Sequence, residues 1–456
     1  MAEDYAYLAR QGATPEQLAG AFLREYYKDA TPAIPVNPFQ ILRDMGVAFS
    51  FRNFVSYEGV YISLEYFGDL PVVGINAGRP ITRQRYTAAH ELCHHLKDAK
   101  QGYICAPGSF DFVERYAESF AAALLMPADL LSEQVAMRAA NGKVTLDDAL
   151  EIANYFGVSF AACVNELAYG LDVLDGATDP ASLRQRRSDF GPVARRASLG
   201  MDDLVLYRQL YNSGDCYLRV CPTPQTRQIF ETEFISQDSR MEGIAIGAER
   251  AAEIVVDLRV NGQVSPFCRA TNQNEIEVAG LARAYQWVFD TASSEADLTI
   301  YDAKEINRLL FSAAVHPEYG GAYRQANPVV VGAGFETLDY RRVGEAMMRK
   351  GRELDEFLAA SDSLSSSEYI EGVLDLHHDL TVVHPFRDGN GRSLRAFANL
   401  LFLRRGLPPV LFSEDAKDRY KDALARADST GSRVALYELY YREMLKAHAV
   451  FTGHLL

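Results

Sequence analysis

Apolar residues recur at helical spacing over residues 1 to about 45, broken by PAIPVNP near 32–38. From Val47 to Ala77 the pattern switches to alternation, punctuated by Gly59, Gly68 and Gly74, which predicts a small antiparallel sheet. Helical spacing returns at 82–97, about 111–126, 129–140 and 145–155. The segment 174–200, LDGATDPASLRQRRSDFGPVARRASLG, has the Gly, Pro and Ser content of a linker. Strands are predicted beyond it at CYLRV (216–220) and EIVVDLRV (253–260). From about 270 onward helical periodicity dominates, interrupted by one β-rich stretch at 328–336. The predicted division is therefore a multidomain α+β chain: a first domain over 1–178, a connecting region over 179–262 and a helical domain over 263–456.

Composition narrows the function classes. A chain of 456 residues with 48% hydrophobic and 23% charged content can build sizeable cores. Its net charge of −15 makes it a poor grip for a phosphate backbone, so no direct nucleic-acid binding is expected. Runs of about 18 apolar residues are missing, and the start MAEDYAYLARQG lacks the core of a secretory signal, so neither membrane nor export is expected. Six cysteines without a C-x-x-C pair read as reduced thiols in a cytoplasmic protein. Histidine is informative: six of the nine lie in two short windows, His90, His94 and His95, then His377, His378 and His384.

The first window contains H-E-x-x-H. On a helix His90 and His94 are i and i+4, so both imidazoles can hold one metal ion. Glu91 is turned about 100° from His90 and can serve as general base on a metal-bound water. Twenty residues past His94, ERYAESFAAALLMP places Glu114 and Glu118 on one helix face. Glu114 is the expected third ligand, and Glu118 a carboxylate that orients a histidine. His95 and Cys93 read as structural.

INAGRPITRQRYTAAHELCHHL, followed by ERYAESFAAALLMP and YFGVSFAACVNEL, resembles the ImmA/IrrE family of zinc metallopeptidases over roughly 30–175. The resemblance implies a compact gluzincin-like fold, Zn2+ on His90, His94 and Glu114, and Glu91 as base. It also implies a regulatory protein as the cleaved substrate. Glu118 stands where Asn or Asp is common in that family.

The second window opens VVHPFRDGNGRSLRAFANLLFLRRG. Pro385, Gly389 and Gly391 shape a loop ending at a helix start, where backbone N–H groups form an anion cradle. Arg392 and Arg395, i and i+3, suit polyphosphate oxygens, and Asp388 is a hard ligand suited to Mg2+. His384 sits at the loop mouth, where a base can take a hydroxyl proton. His377, on the apolar stripe of the preceding helix, reads as a core histidine.

This string resembles the Fic motif H-P-F-x-[D/E]-G-N-G-R-x-x-R at every specified position, and the likeness extends over roughly 265–445. It implies a mainly α-helical Fic fold with a β-hairpin flap at GGAYRQANPVVVGAGFETL (320–338), and transfer of AMP from ATP to a hydroxyl of a protein target. In that picture His384 deprotonates Ser, Thr or Tyr, and Asp388 binds Mg2+. Asn390 with the amides of Gly389 and Gly391 holds the α-phosphate, and Arg392 and Arg395 hold the outer phosphates. Many Fic proteins carry an inhibitory S/T-x-x-x-E-G/N helix whose Glu pairs with the second motif Arg. The expected place is ATNQNEIEVAGL, where Thr271 precedes Glu275 by four, with Glu275 or Glu277 reaching Arg395.

The combined expectation is a zinc endopeptidase fused to a Fic adenylyltransferase, suggestive of toxin–antitoxin, stress or phage-related systems by analogy alone. Beside a nucleic-acid-binding regulator, against which the charge and the lack of a basic recognition helix argue, two rival readings stay open at this point. In one the zinc domain only binds a partner and the Fic domain alone is catalytic. In the other the Fic domain transfers a different phosphoryl-containing group or removes AMP.

Overall fold

The computed structural model describes residues 2–63, 70–98, 112–175, 203–244, 246–261, 272–314, 316–327, 338–410 and 412–452. Nearly all of the predicted linker, Thr271 and the β-rich stretch at 328–336 lie outside the described residues. The chain forms two compact units, Met1–Tyr217 and Leu218–Leu456. Among the described residues no single helix is long and apolar enough to cross a membrane.

The first unit runs α1 (Ala2–Arg10), α2 (Pro15–Tyr26), α3 (Pro38–Asp44), β1 (Ala48–Arg52), β2 (Gly59–Ile62) and β3 (Val72–Asn76). It continues with α4 (Ile81–Asp98), α5 (Phe112–Leu125), α6 (Ala128–Arg138), α7 (Leu146–Phe156), α8 (Phe160–Asn165) and α9 (Leu204–Ser213). Local chemistry explains the helix starts. Thr14 and Gln17 form a capping box ahead of α2, with Pro15 at its first position, and Thr145 and Asp148 do the same for α7. The sheet differs from the antiparallel expectation. Its order is β1–β3–β2, with β3 antiparallel to β2 but parallel to β1. Alternation reports which face is buried and says nothing of strand direction, so the pattern could not reveal this.

Phe39, Phe49 and Phe51 form an aromatic cluster between α3 and β1, while α3, β2 and β3 pack on the long helix α4. Arg85 of α4 is fully buried and donates to the carbonyls of Val36, Phe156 and Gly157. It thereby satisfies orphan carbonyls at the end of α7 and fixes the helix that carries the first histidine window.

The second unit contains α10 (Pro224–Met241), α11 (Ala248–Asn261), α12 (Gln273–Ala292), α13 (Tyr301–Leu310), α14 (Val343–Ala360) and α15 (Ser366–Val383). After these come α16 (Asn390–Arg404), α17 (Lys417–Thr430) and α18 (Val434–Thr452). The strands expected at 216–220 and 253–260 are absent. CYLRV holds a single helical turn, Asp215–Leu218, and EIVVDLRV lies within α11. Ala251, Ile254, Val255 and Leu258 are buried, a helical spacing that overrides the β propensity of the valines. Both α10 and α11 pack on α12, so residues 224–261 belong to the body of this unit.

The unit is organised around α16, which packs on α12, α13 and α15. Helices α12 and α13 approach so closely that a Cβ at Gly280 would lie 1.9 Å from the Leu310 carbonyl oxygen. Gly280→Ala is therefore expected to destabilise the unit by about 3 kcal/mol, the upper end of overpacking. Gly344→Ala, with nothing within 4 Å of the new methyl, is expected to be neutral or stabilising. Urea unfolding of the two variants checks the contrast.

Candidate functional site

In the first unit α4 and α5 bring together the residues that spacing selected. His90 Nε2 lies 3.2 Å from His94 Nε2 and 3.2 Å from Glu114 Oε2, and His94 Nε2 lies 3.8 Å from Glu114 Oε1. Tetrahedral bonds of about 2.0–2.1 Å set ligand atoms roughly 3.3 Å apart, so these donors fit a single zinc-sized ion. All three ligand atoms lie within 4.8 Å of one another. Glu91 is buried beside them, and β2 passes directly over it. A Cβ at Gly59 would lie 2.6 Å from Glu91 Oε1 and 2.3 Å from the Thr87 methyl, so only glycine admits this approach.

The orienting carboxylate differs from the expectation. Glu118 is exposed on α5, and its backbone carbonyl accepts from the Tyr86 hydroxyl. Asp98, one turn beyond His94, meets His94 Nδ1 at 3.1 Å and fixes which nitrogen faces Glu114. Burial raises the Asp98 carboxyl, but its bonds to His94 and Lys97 outweigh that and hold it below the usual range. Its signal was legible as a second i, i+4 step along the same helix. His95 bonds the Tyr61 hydroxyl at 2.9 Å, and burial pushes it down to about 4, as befits a structural histidine. Cys93 is fully buried, and burial raises its thiol.

In the second unit the chain leaves α15 through His384 with φ 49° and enters α16 through Gly389 with φ 71°. Left-handed backbone at a non-glycine residue is held only by surrounding bonds. Arg324, which sequence reasoning missed, supplies them. Its Nε donates to the His384 carbonyl at 2.7 Å, its Nη2 to Val383 and Leu338, and its backbone N–H to Pro385. Asn307, also missed, donates from Nδ2 to the Asp388 carbonyl and to Ser393 Oγ, and accepts from Gly321 N–H. Neither residue has a motif signal, since both act from 60 or more positions away.

The loop leaves α16 with no side-chain cap, so its first N–H groups are open to an anion. Asp388 is exposed, and its Oδ1 accepts from Gly389 N–H. Asn390, expected at the α-phosphate, is engaged within the loop itself. Its side chain accepts from Phe386 N–H and donates to the Phe386 carbonyl, both at 2.9 Å, so it closes the loop. Burial and Arg324 lower the pKa of His384, leaving it neutral near pH 7. His377 bonds Leu394, Tyr420 and Tyr440 in the core and is pushed down to about 3, chiefly by burial.

Neither glutamate expected to reach Arg395 does so. Glu275 pairs with Arg250, and Glu277 reaches the first motif arginine, Arg392, at 2.7 Å. Arg395 is held instead by Asp238 and Glu242, each at 2.7 Å, from the end of α10. Glu242-Gly243 carries the E-G of the inhibitory pattern, with Asp238 at the Ser/Thr place, and that substitution hid the match. Arg395 overrides burial and holds Glu242 below the usual carboxylate range. The buried Nε of Arg392 has no hydrogen-bond partner among the described residues.

Comparison with known proteins agrees with the order of the two sites. Residues 43–167 match the model of the IrrE N-terminal-like domain, and residues 297–402 match that of the Fic/DOC family. Protein adenylyltransferase Fic from Drosophila yakuba is 30% identical over 152 residues, 33% of this chain and 29% of that protein. The Drosophila melanogaster protein of the same name gives the same figures. The matched stretch thus spans under a third of these relatives' length. A Fic domain containing signaling protein from Bacteroides thetaiotaomicron is similar at 20% identity and TM-score 0.43, covering 54% of this chain and 98% of that one. Fic-1 from C. elegans gives 20% and 0.43, with coverage of 72% and 93%.

Asp98→Asn is expected to weaken zinc binding about 10–100-fold, as for other residues that orient a ligand. Glu118→Gln is expected to leave it unchanged. Competition with a chromogenic chelator measures both.

Proposed function

We propose that this chain joins a zinc-dependent endopeptidase, in its first unit, to a protein AMP-transferase held in check by its own carboxylates, in its second. The peptidase reading is carried by the convergence of His90, His94 and Glu114 beside a buried Glu91. Zinc bound there would lower the pKa of a water and polarise a peptide carbonyl. Glu91 takes the proton of the attacking water and returns it to the leaving amine nitrogen. Among the described residues β2 is paired on one side only, so its other edge is suited to an extended substrate.

The transferase reading is carried by the loop between His384 and α16, where base, hard ligand, open N–H groups and two arginines converge. A target hydroxyl oxygen bonds to the α-phosphorus of ATP, pyrophosphate leaves, and His384 accepts the hydroxyl proton. Asp388 would hold Mg2+ against the phosphates. The backbone N–H groups of the loop cradle the α-phosphate, while Arg392 and Arg395 engage the outer phosphates. Glu242 opposes this: its Oε1 lies 2.8 Å from where a Gly391 Cβ would stand, in the space a phosphate would enter. The protein substrate of the first unit and the target of the second are identified by what each modifies.

Full-length protein incubated with labelled ATP, Mg2+ and candidate targets tests the transferase. Glu242→Gly is expected to raise labelling at least about tenfold, as loss of a charged competitor allows. His384→Ala is expected to abolish it. Absence of label in every variant contradicts the reading. For the peptidase, Glu91→Gln is expected to retain zinc yet lose cleavage. The sign of the His384 shift sets the acid limb: transfer by Glu242→Gly falls only as pH drops through a value below 6.5, the ordinary histidine value. A limb at or above that value contradicts the burial of the base.

A further inference from the structure

Arg395 is held by two carboxylates whose surroundings differ. Asp238 and Glu242 stand i and i+4 at the end of α10 and face the same guanidinium. Asp238 is 1% exposed and takes Nε, whereas Glu242 is 35% exposed and takes Nη2. Glu242 lies just past the last residue of α10, in a turn closed by Gly243 at φ 83°. The inhibitory pattern that the second unit resembles has a neutral Ser or Thr where this chain has Asp238.

We propose that Asp238 is a positioning residue for binding of a nucleoside triphosphate: it keeps the Nε edge of Arg395 while Glu242 yields the Nη edge to the outermost phosphate. The proposal rests on the AMP-transfer reading. Removing one partner from a fully buried ion pair leaves an uncompensated charge, whereas a partly exposed carboxylate is rehydrated when it leaves. An incoming phosphate therefore displaces Glu242 and not Asp238. The geometry agrees. A Gly391 Cβ would stand 3.0 Å from Arg395 Nη1 and 2.8 Å from Glu242 Oε1, so the Nη edge faces the cradle.

Among the described residues Arg395 is the only hydrogen-bond partner of Asp238, whose Oδ2 is buried without one. The carboxylate is thus dedicated to the arginine and staples nothing else by hydrogen bonds. Fixing one edge of the planar fork leaves the other presented in a single orientation, which favours the bidentate contact a phosphate can make.

Titration calorimetry of the full-length chain with ATP and with ADP, both with Mg2+, tests this. In Glu242→Gly, ATP is expected to bind more tightly than ADP. Adding Asp238→Asn or Asp238→Ser is expected to weaken ATP at least tenfold and ADP less than threefold, since ADP lacks the phosphate that Arg395 meets. Equal loss of both nucleotides would assign Asp238 a purely structural role and overturn the proposal. Unchanged or tighter ATP binding would overturn it by making Asp238 inert or a second brake. Failure of Glu242→Gly itself to bind ATP would instead overturn the AMP-transfer reading. Melting curves of the double variants, expected to stay cooperative, report folding separately.

Discussion

Arg395, buried with a carboxylate on either side, is the constraint on which the second unit depends. A fully buried guanidinium needs compensating charge, and α10 provides it from two positions one turn apart. Burial lowers the guanidinium's pKa, but Asp238 and Glu242 more than restore it, so the arginine stays charged. Meeting that need ties the end of α10 to α16 and makes residues 224–241 part of the second unit's body. It also places Glu242 in the space where an anion must enter. On the proposed function, the ion pair that completes the core is also the one an incoming phosphate opens.

The two candidate sites share a structural strategy. One presents its site residues from long helices and the other from a loop at a helix start, and each fixes them with buried polar groups. Arg85 ties α4 to the carbonyls around it, and Asp98 orients His94. Arg324 and Asn307 fix the loop that carries His384 and Asp388. Such supports satisfy backbone groups that a tight turn would otherwise strand, and they hold side chains in their working orientation before substrate arrives.

What the sequence revealed follows from distance along the chain. His90, His94 and Glu114, and the run from His384 to Arg395, were legible because adjacent helical turns set their geometry. Arg324, Asn307, Asp238 and Glu242 were not, because tertiary packing brings them in from 60 to 157 residues away. Glu242 did leave a trace in Glu242-Gly243, obscured by an Asp at the position where the pattern wants a hydroxyl. The helix α11 was misread for a different reason. Its valines carry strand propensity, yet Ala251, Ile254, Val255 and Leu258 already followed the helical period. In the sheet, the parallel pairing of β1 with β3 depends on where the chain crosses, which alternation does not encode.

On the proposed function, one carboxylate separates a closed nucleotide site from an open one. A crystal structure of the full-length Glu242→Gly variant with a non-hydrolysable ATP analogue and Mg2+ tests it most directly. The triphosphate is expected to lie over Gly389–Gly391, with its outermost phosphate on the Nη edge of Arg395 and its α-phosphorus within reach of His384. An analogue bound elsewhere, or an empty loop with Arg395 unchanged at saturating analogue, would contradict it.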